Sequence, residues 1–275
     1  MLSSGLATLL SGRYFEINVL PFSYAEYKQY LPNATLNDYI HTGGMPGAMD
    51  MLSLGENYSL KYLNDVYNSV VLQDVITRSN ITSPQELFAV TRFAFDSVGS
   101  PLSPNSISKF LKSDHKVVDS RLVFKLLEAL KDAFVLYESK RFDIKGKEQL
   151  RTISKFYLVD LGFRRMLIGK PKTSDVGHLL ENIVYFELLR RGYKVWTGKY
   201  NENEIDFVVQ NEKGITEYYQ VAYTAKEEST LQRELTPFKK LNDHYRKVLL
   251  TTDELEFDDE GIAILNVEKW LLSGQ

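Results

Sequence analysis

The hydrophobic period of the C-terminal third most narrows what this chain can fold into. His178 to Arg191 reads as a helix, with Arg190 and Arg191 in its last turn and Gly192 at the C′ position. The period then shortens to that of strands at Tyr193 to Thr197, Glu204 to Val209 and Thr216 to Tyr223. A helix around Leu231 to Leu241, a strand at Lys247 to Thr251, a short strand near Ile262 to Leu265 and a final helix with Trp270 complete the order. An αβββαβ order predicts one mixed sheet flanked by helices, so this part is expected to be an α/β unit.

The preceding segment has a different grammar. Gln85 to Phe95, Ser103-Pro104 through Leu111, and a helix opened by Asp119 give three short helices. In the third, Val123, Leu126, Leu127, Leu130 and Phe134 fall on one face at helical spacing. A hairpin follows, with Phe134 to Tyr137 going out, a turn around Lys145-Gly146-Lys147, and Phe156 to Val159 returning. Three helices and a hairpin are the order of a winged helix. Further upstream, Asn37 to Val75 is helical in pattern but broken at Gly43-Gly44-Met45-Pro46-Gly47, which reads as a connector with a bend. Phe15 to Leu20 reads as a short strand ended by Pro21.

The chain has 275 residues, 44% of them apolar, enough for a sizeable core and for more than one unit. A formal net charge of −3 gives no chain-wide field, so any nucleic-acid contact must come from local patches. The absence of cysteine excludes disulfides, thiolate zinc sites and cysteine nucleophiles. With no signal-peptide pattern and no long apolar run, the chain is expected to be soluble and cytoplasmic, without membrane contact.

Three patterns bear on chemistry. Glu181 on the helix, Asp206 in Glu204-Ile205-Asp206-Phe207 and Gln220 in Tyr219-Gln220-Val221-Ala222-Tyr223 can be read as oxygen ligands, Glu181 and Asp206 foremost, for a magnesium ion that activates water. They can equally be hydrogen-bonding and ion-pairing groups of a sheet and a helix. Arg233-Glu234 can contact phosphate or form a surface pair, and Lys226 can reach the site or stay solvated. The hairpin carries Lys140, Arg141, Lys145, Lys147, Arg151 and Lys155 against Asp143 and Glu148, a local positive excess that suits DNA phosphates. The third helix balances Arg121, Lys125 and Lys131 with Asp119, Glu128 and Asp132, which does not. The chain has no Gly-x-x-x-x-Gly-Lys-Ser/Thr, so ATP binding is not expected, and Arg13 reads as a surface arginine in a turn.

The segment Leu9 to Tyr27, with Gly43-Gly44-Met45-Pro46, Leu72-Gln73-Asp74-Val75, Lys155 to Gly162 and Gly177 to Asn182, resembles the C-terminal part of a large prokaryotic AAA-type ATPase family ending in a domain of unknown function of the 4143 type. The resemblance spans nearly the whole chain. It implies an ATPase-core remnant over 1–35, a helical connector over 36–83, a winged-helix domain over 84–162 and a restriction-endonuclease-like, PD-(D/E)XK domain over 163–275. It also implies that the family's phosphate-binding loop precedes the part matched here. In that nuclease motif Glu181 matches the helix Glu and Asp206 the Asp, while Gln220 stands at the second carboxylate and Ala222 at the lysine. The expectation is a DNA-associated module with a degenerate nuclease-like domain. Competing readings are a magnesium-dependent nuclease using Lys226 in place of the lysine, and a module docking a protein partner or ATPase subunit through acidic Asp253 to Glu260.

Overall fold

The computed structural model describes residues 17–69, 75–78, 81, 83–114, 118–149 and 153–273. Arg13, Phe15, Leu72 to Asp74 and Arg151 lie outside them.

The chain is mixed α/β, with helices packed around one large mixed sheet and one small sheet. Ser23 and Thr35 open α1 (Tyr24–Tyr30) and α2 (Leu36–Thr42) with capping boxes closed by Glu26 and Asp38. The Gly-Gly-Met-Pro-Gly interruption is a true break. Gly43 takes φ +73, and Pro46 starts α3 (Pro46–Leu52) at the position where its missing N–H is not needed. A methyl on Gly43 would overlap the Asp160 carboxylate, one on Gly44 the Phe22 carbonyl, and one on Gly47 the Tyr62 ring of α4 (Glu56–Val66). The motif is a close-approach surface for three other segments. By contrast, Ile17 to Leu20 form no strand: Ile17 and Val19 are exposed and no sheet receives their backbone. Alternation makes a strand only where a neighbour takes up the N–H and C=O groups.

Helices α6 (Pro104–Ser113) and α7 (Ser120–Asp132) are capped at the expected residues, Ser103 and Asp119, and α5 (Pro84–Asp96) is capped by Ser83. They enclose Leu87, Val90, Phe95, Ile107, Val123, Leu126 and Leu130. A three-stranded antiparallel sheet adjoins them, ordered β1 (Pro101–Leu102), β5 (Ser154–Leu158), β2 (Leu136–Ser139).

The tip of the expected hairpin does not project. Beyond β2 the chain runs into β3 (Arg141–Asp143), which pairs parallel with β6 (Lys194–Tyr200) and antiparallel with β4 (Glu148–Gln149). The large sheet therefore has the order β10-β11-β9-β8-β7-β6-β3-β4, with β7 (Asn203–Gln210), β8 (Thr216–Val221), β9 (Arg246–Thr251), β10 (Phe257–Asp259) and β11 (Ile262–Asn266). Its ladder crosses the boundary expected at residue 162.

Helix α8 (Leu161–Ile168) follows β5, and α9 (Val176–Arg190) covers one face of the large sheet, with Phe207, Val209, Tyr219, Val248 and Leu250 on that side. Helix α10 (Glu228–Lys239) covers the other face, packing Leu231, Leu235 and Phe238 on Val208, Tyr218 and Leu249. The alternation of Val248, Leu249 and Leu250 between faces is the two-residue pleat, and both sides are buried. Helix α11 (Val267–Leu272) ends the fold, with Arg191 stacked 4.0 Å over the Trp270 ring. No helix among the described residues is long and apolar enough to cross a membrane.

Candidate functional site

Three local periodicities converge on one point. Lys155 and Tyr157 are two apart on β5 and share a face, as do Glu204 and Asp206 on β7, while His178 and Glu181 are three apart on α9. At their meeting place the Lys155 ammonium lies 2.9 Å from Glu181 Oε1, 2.9 Å from Glu204 Oε1 and 3.3 Å from Asp206 Oδ1. Tyr157 donates to the same Glu181 oxygen at 2.5 Å, and His178 Nδ1 stands 3.7 Å from Glu181 Oε2. Glu204 Oε2 in turn accepts from Arg141 at 2.8 Å.

The β7 and β8 strands part at this spot. Their register runs from Gln210↔Thr216 to Phe207↔Tyr219 and stops. Beyond it, Asp206 Oδ2 accepts the Val221 N–H at 2.9 Å, and the Asp206 N–H donates to Gln220 Oε1 at 3.1 Å. Side chains thus take up the backbone groups the ladder releases.

Burial and charge decide the protonation pattern. Burial, then the neighbouring Glu181, push Asp206 up to about 7, against the pull of Lys155 and the Val221 N–H. Burial raises Glu181 too, but Lys155, His178 and Tyr157 outweigh it and hold that carboxyl below its ordinary range. Burial opposes the Lys155 charge, yet Glu181, Asp206 and Glu204 together keep the ammonium firmly charged. The neighbouring Glu181 carboxylate raises His178, whose side chain is 51% exposed and marks the open end of the cluster.

Glu181 and Asp206 are therefore brought together as expected, and Gln220 lies beside them. Lys155 is a correction: expected on a solvated basic wing, it is 4% exposed, and its position on a strand buried along its whole length explains why. A buried lysine needs carboxylate partners, and the apolar run Phe156 to Val159 beside it was the available signal. Arg141 is also engaged, by Glu204, leaving Lys140, Lys145 and Lys147 exposed near the outer edge of the sheet. Lys226 is exposed and makes no ion pair with the cluster. Glu204, Tyr157 and His178 were not singled out from the sequence; nothing local marks them, since their roles arise from three separate elements.

As arranged, the cluster does not fit a magnesium ion. The ammonium stands between the carboxylates, Glu181 Oε1 already accepts two donors, and Gln220 Oε1 is engaged by a backbone N–H. Among the described residues no group of three acidic or histidine side chains has metal-ligand spacing.

The acidic stretch is engaged internally. Asp253 accepts from Ala225 N–H and Thr224, Glu256 pairs with Lys269, and Asp259 and Glu260 pair with Lys239.

A family described as a domain of unknown function, DUF8612, matches residues 33–174, which hold the connector, the three-helix unit and Lys155. An uncharacterized protein of Haemophilus influenzae is 36% identical over 281 residues, covering 99% of this chain and 68% of its own length. The uncharacterized protein MJ1544 of Methanocaldococcus jannaschii is 25% identical, covering 98% of this chain and 63% of its own length. No solved structure matches. The chain thus spans about two thirds of the length of these relatives, and it belongs to the DUF8612 family.

Proposed function

We propose that this chain is a DNA-associated module, the C-terminal part of an AAA-type ATPase of the 4143 kind. On this reading its α/β half is nuclease-like, with carboxylates neutralised by the chain's own lysine, so that it holds DNA without cutting it. The observation that carries the proposal is the Lys155 ammonium within 3.3 Å of Glu181, Glu204 and Asp206. A divalent cation entering there must displace a buried ammonium held by two charge-assisted hydrogen bonds, to Glu181 and Asp206, and a further ion pair to Glu204. Support for a winged-helix assignment comes from the order α5-β1-α6-α7-β2-β5 and its three-stranded sheet. Support for DNA contact comes from exposed Lys140, Lys145 and Lys147.

One observation favours the second reading, a magnesium-dependent nuclease: the lysine missing at Ala222 is present in space, delivered from β5. On that reading Lys155 swings off the carboxylates when metal binds. A magnesium and manganese titration of cleavage on single-stranded, duplex and branched DNA, with Asp206→Ala beside it, separates the two. Binding without cleavage at any metal concentration supports the neutralised site. Cleavage abolished by Asp206→Ala overturns it in favour of the nuclease.

A further inference from the structure

Gln220 occupies a place where a metal-binding carboxylate was expected, and its hydrogen bonds explain why an amide stands there. Its Oε1 accepts the Asp206 N–H at 3.1 Å, while its Nε2 donates to Glu234 Oε2 at 3.2 Å. Only a side chain with both an acceptor and a donor makes this link; a glutamate would set its charge against Glu234. Glu234 is largely enclosed, its side chain 14% exposed, and its other oxygen accepts from Arg233 Nε at 3.1 Å and Nη2 at 2.9 Å. The Arg233 side chain is 73% exposed. A continuous chain of bonds thus runs from the backbone of Asp206 through Gln220 and Glu234 to a solvent-facing guanidinium. A surface arginine is ordinarily free to sample many rotamers, and holding it by two bonds to one half-buried carboxylate oxygen removes much of that freedom before a ligand arrives.

We propose that Arg233 binds a DNA backbone phosphate on the α10 face of the sheet, pre-oriented there by the Gln220–Glu234 relay that starts at the Asp206 backbone. This rests on the DNA-associated reading and adds to it a group that seats a phosphate on the α10 face of the sheet. The guanidinium keeps its Glu234 contact on one edge and presents its remaining N–H groups outward, the geometry that suits a phosphodiester.

The relay makes a prediction that charge counting does not. Removing the negative charge of Glu234 should tighten DNA binding if only the net field matters, whereas loss of the relay should weaken it. The experiment measures fluorescence-anisotropy affinity of the full chain for a mixed-sequence duplex across a salt series, for wild type, Arg233→Ala, Arg233→Lys and Glu234→Gln. Expected are a roughly ten-fold loss for Arg233→Ala with the log–log salt slope reduced by about 1, since one phosphate contact disappears. Arg233→Lys should keep the slope and lose affinity, and Glu234→Gln should weaken binding with the slope intact. Tighter binding by Glu234→Gln, or an unchanged affinity and slope in Arg233→Ala, overturns this inference while leaving the DNA-associated reading standing. A wild-type chain that binds no duplex at low salt overturns both.

Discussion

Asp160 and Asp206 are both buried, and burial raises both carboxyls, to about 6 and about 7, yet the two are built on different physics. Asp160 caps α8 and accepts the N–H groups of Gly44 and Gly162, each at 2.7 Å, with Met45 N–H adding to them. Its partners are backbone dipoles that cannot titrate and cannot leave, and they tie the Gly43-Gly44 bend to the end of β5. Asp206 instead depends on a lysine side chain shared with two other carboxylates, at the partly open end marked by His178. Fixed dipoles make a joint; a shared ammonium makes a site whose charge can be redistributed by pH, metal or ligand. Two buried aspartates therefore serve different ends, and the partner type tells them apart.

The comparison breaks most severely at the joint. Gly43→Ala forces a non-glycine residue to a positive φ and drives its methyl into the Asp160 carboxylate, so a loss above about 4 kcal/mol is expected in urea unfolding. A variant as stable as wild type would show that the bend is not held by Asp160.

Lys155→Met tests the site. Leaving Glu181, Glu204 and Asp206 without their cation should cost about 3 to 5 kcal/mol near neutral pH. With the ammonium gone, burial raises the folded-state Glu181 and Asp206 carboxyls above their unfolded values. Their contribution is then favourable below the unfolded pKa and lost as pH rises, so the deficit should shrink on acidification. A pH-independent deficit would assign the loss to packing alone.

The smallest effect is the most specific. Asp206 titrates near 7 when folded and about 4 when unfolded, so the stability it contributes is complete below about pH 4 and is lost as pH rises through about 7. Asp206→Asn should remove that segment of the pH profile. Urea midpoints at about pH 5 and about pH 8 should therefore lie closer together in the variant than in wild type. An unchanged separation would place the titration elsewhere, for instance on His178, which is also raised and loses its contribution in the same direction.

Much of the fold was legible because its signals are local. Asp119, Ser103 and the Gly192 turn mark helix ends within a few residues, and the apolar run Val248 to Leu250 marks a strand. The pairing of Glu181 with Asp206 was also within reach. The hairpin was misjudged as a free basic wing because charge alone does not say which lysines are solvated. Arg141 and Lys155 look like Lys145 and Lys147 until β3 is seen beside β6. By itself the sequence determined the order of most helices and of the main strands, the bend at Gly43-Gly44 and two of the three carboxylates of the cluster. Only the tertiary structure decided that a lysine from β5 neutralises them and that Gln220 links Asp206 to Arg233, because ion pairs and hydrogen bonds depend on distances between segments that sequence spacing does not encode.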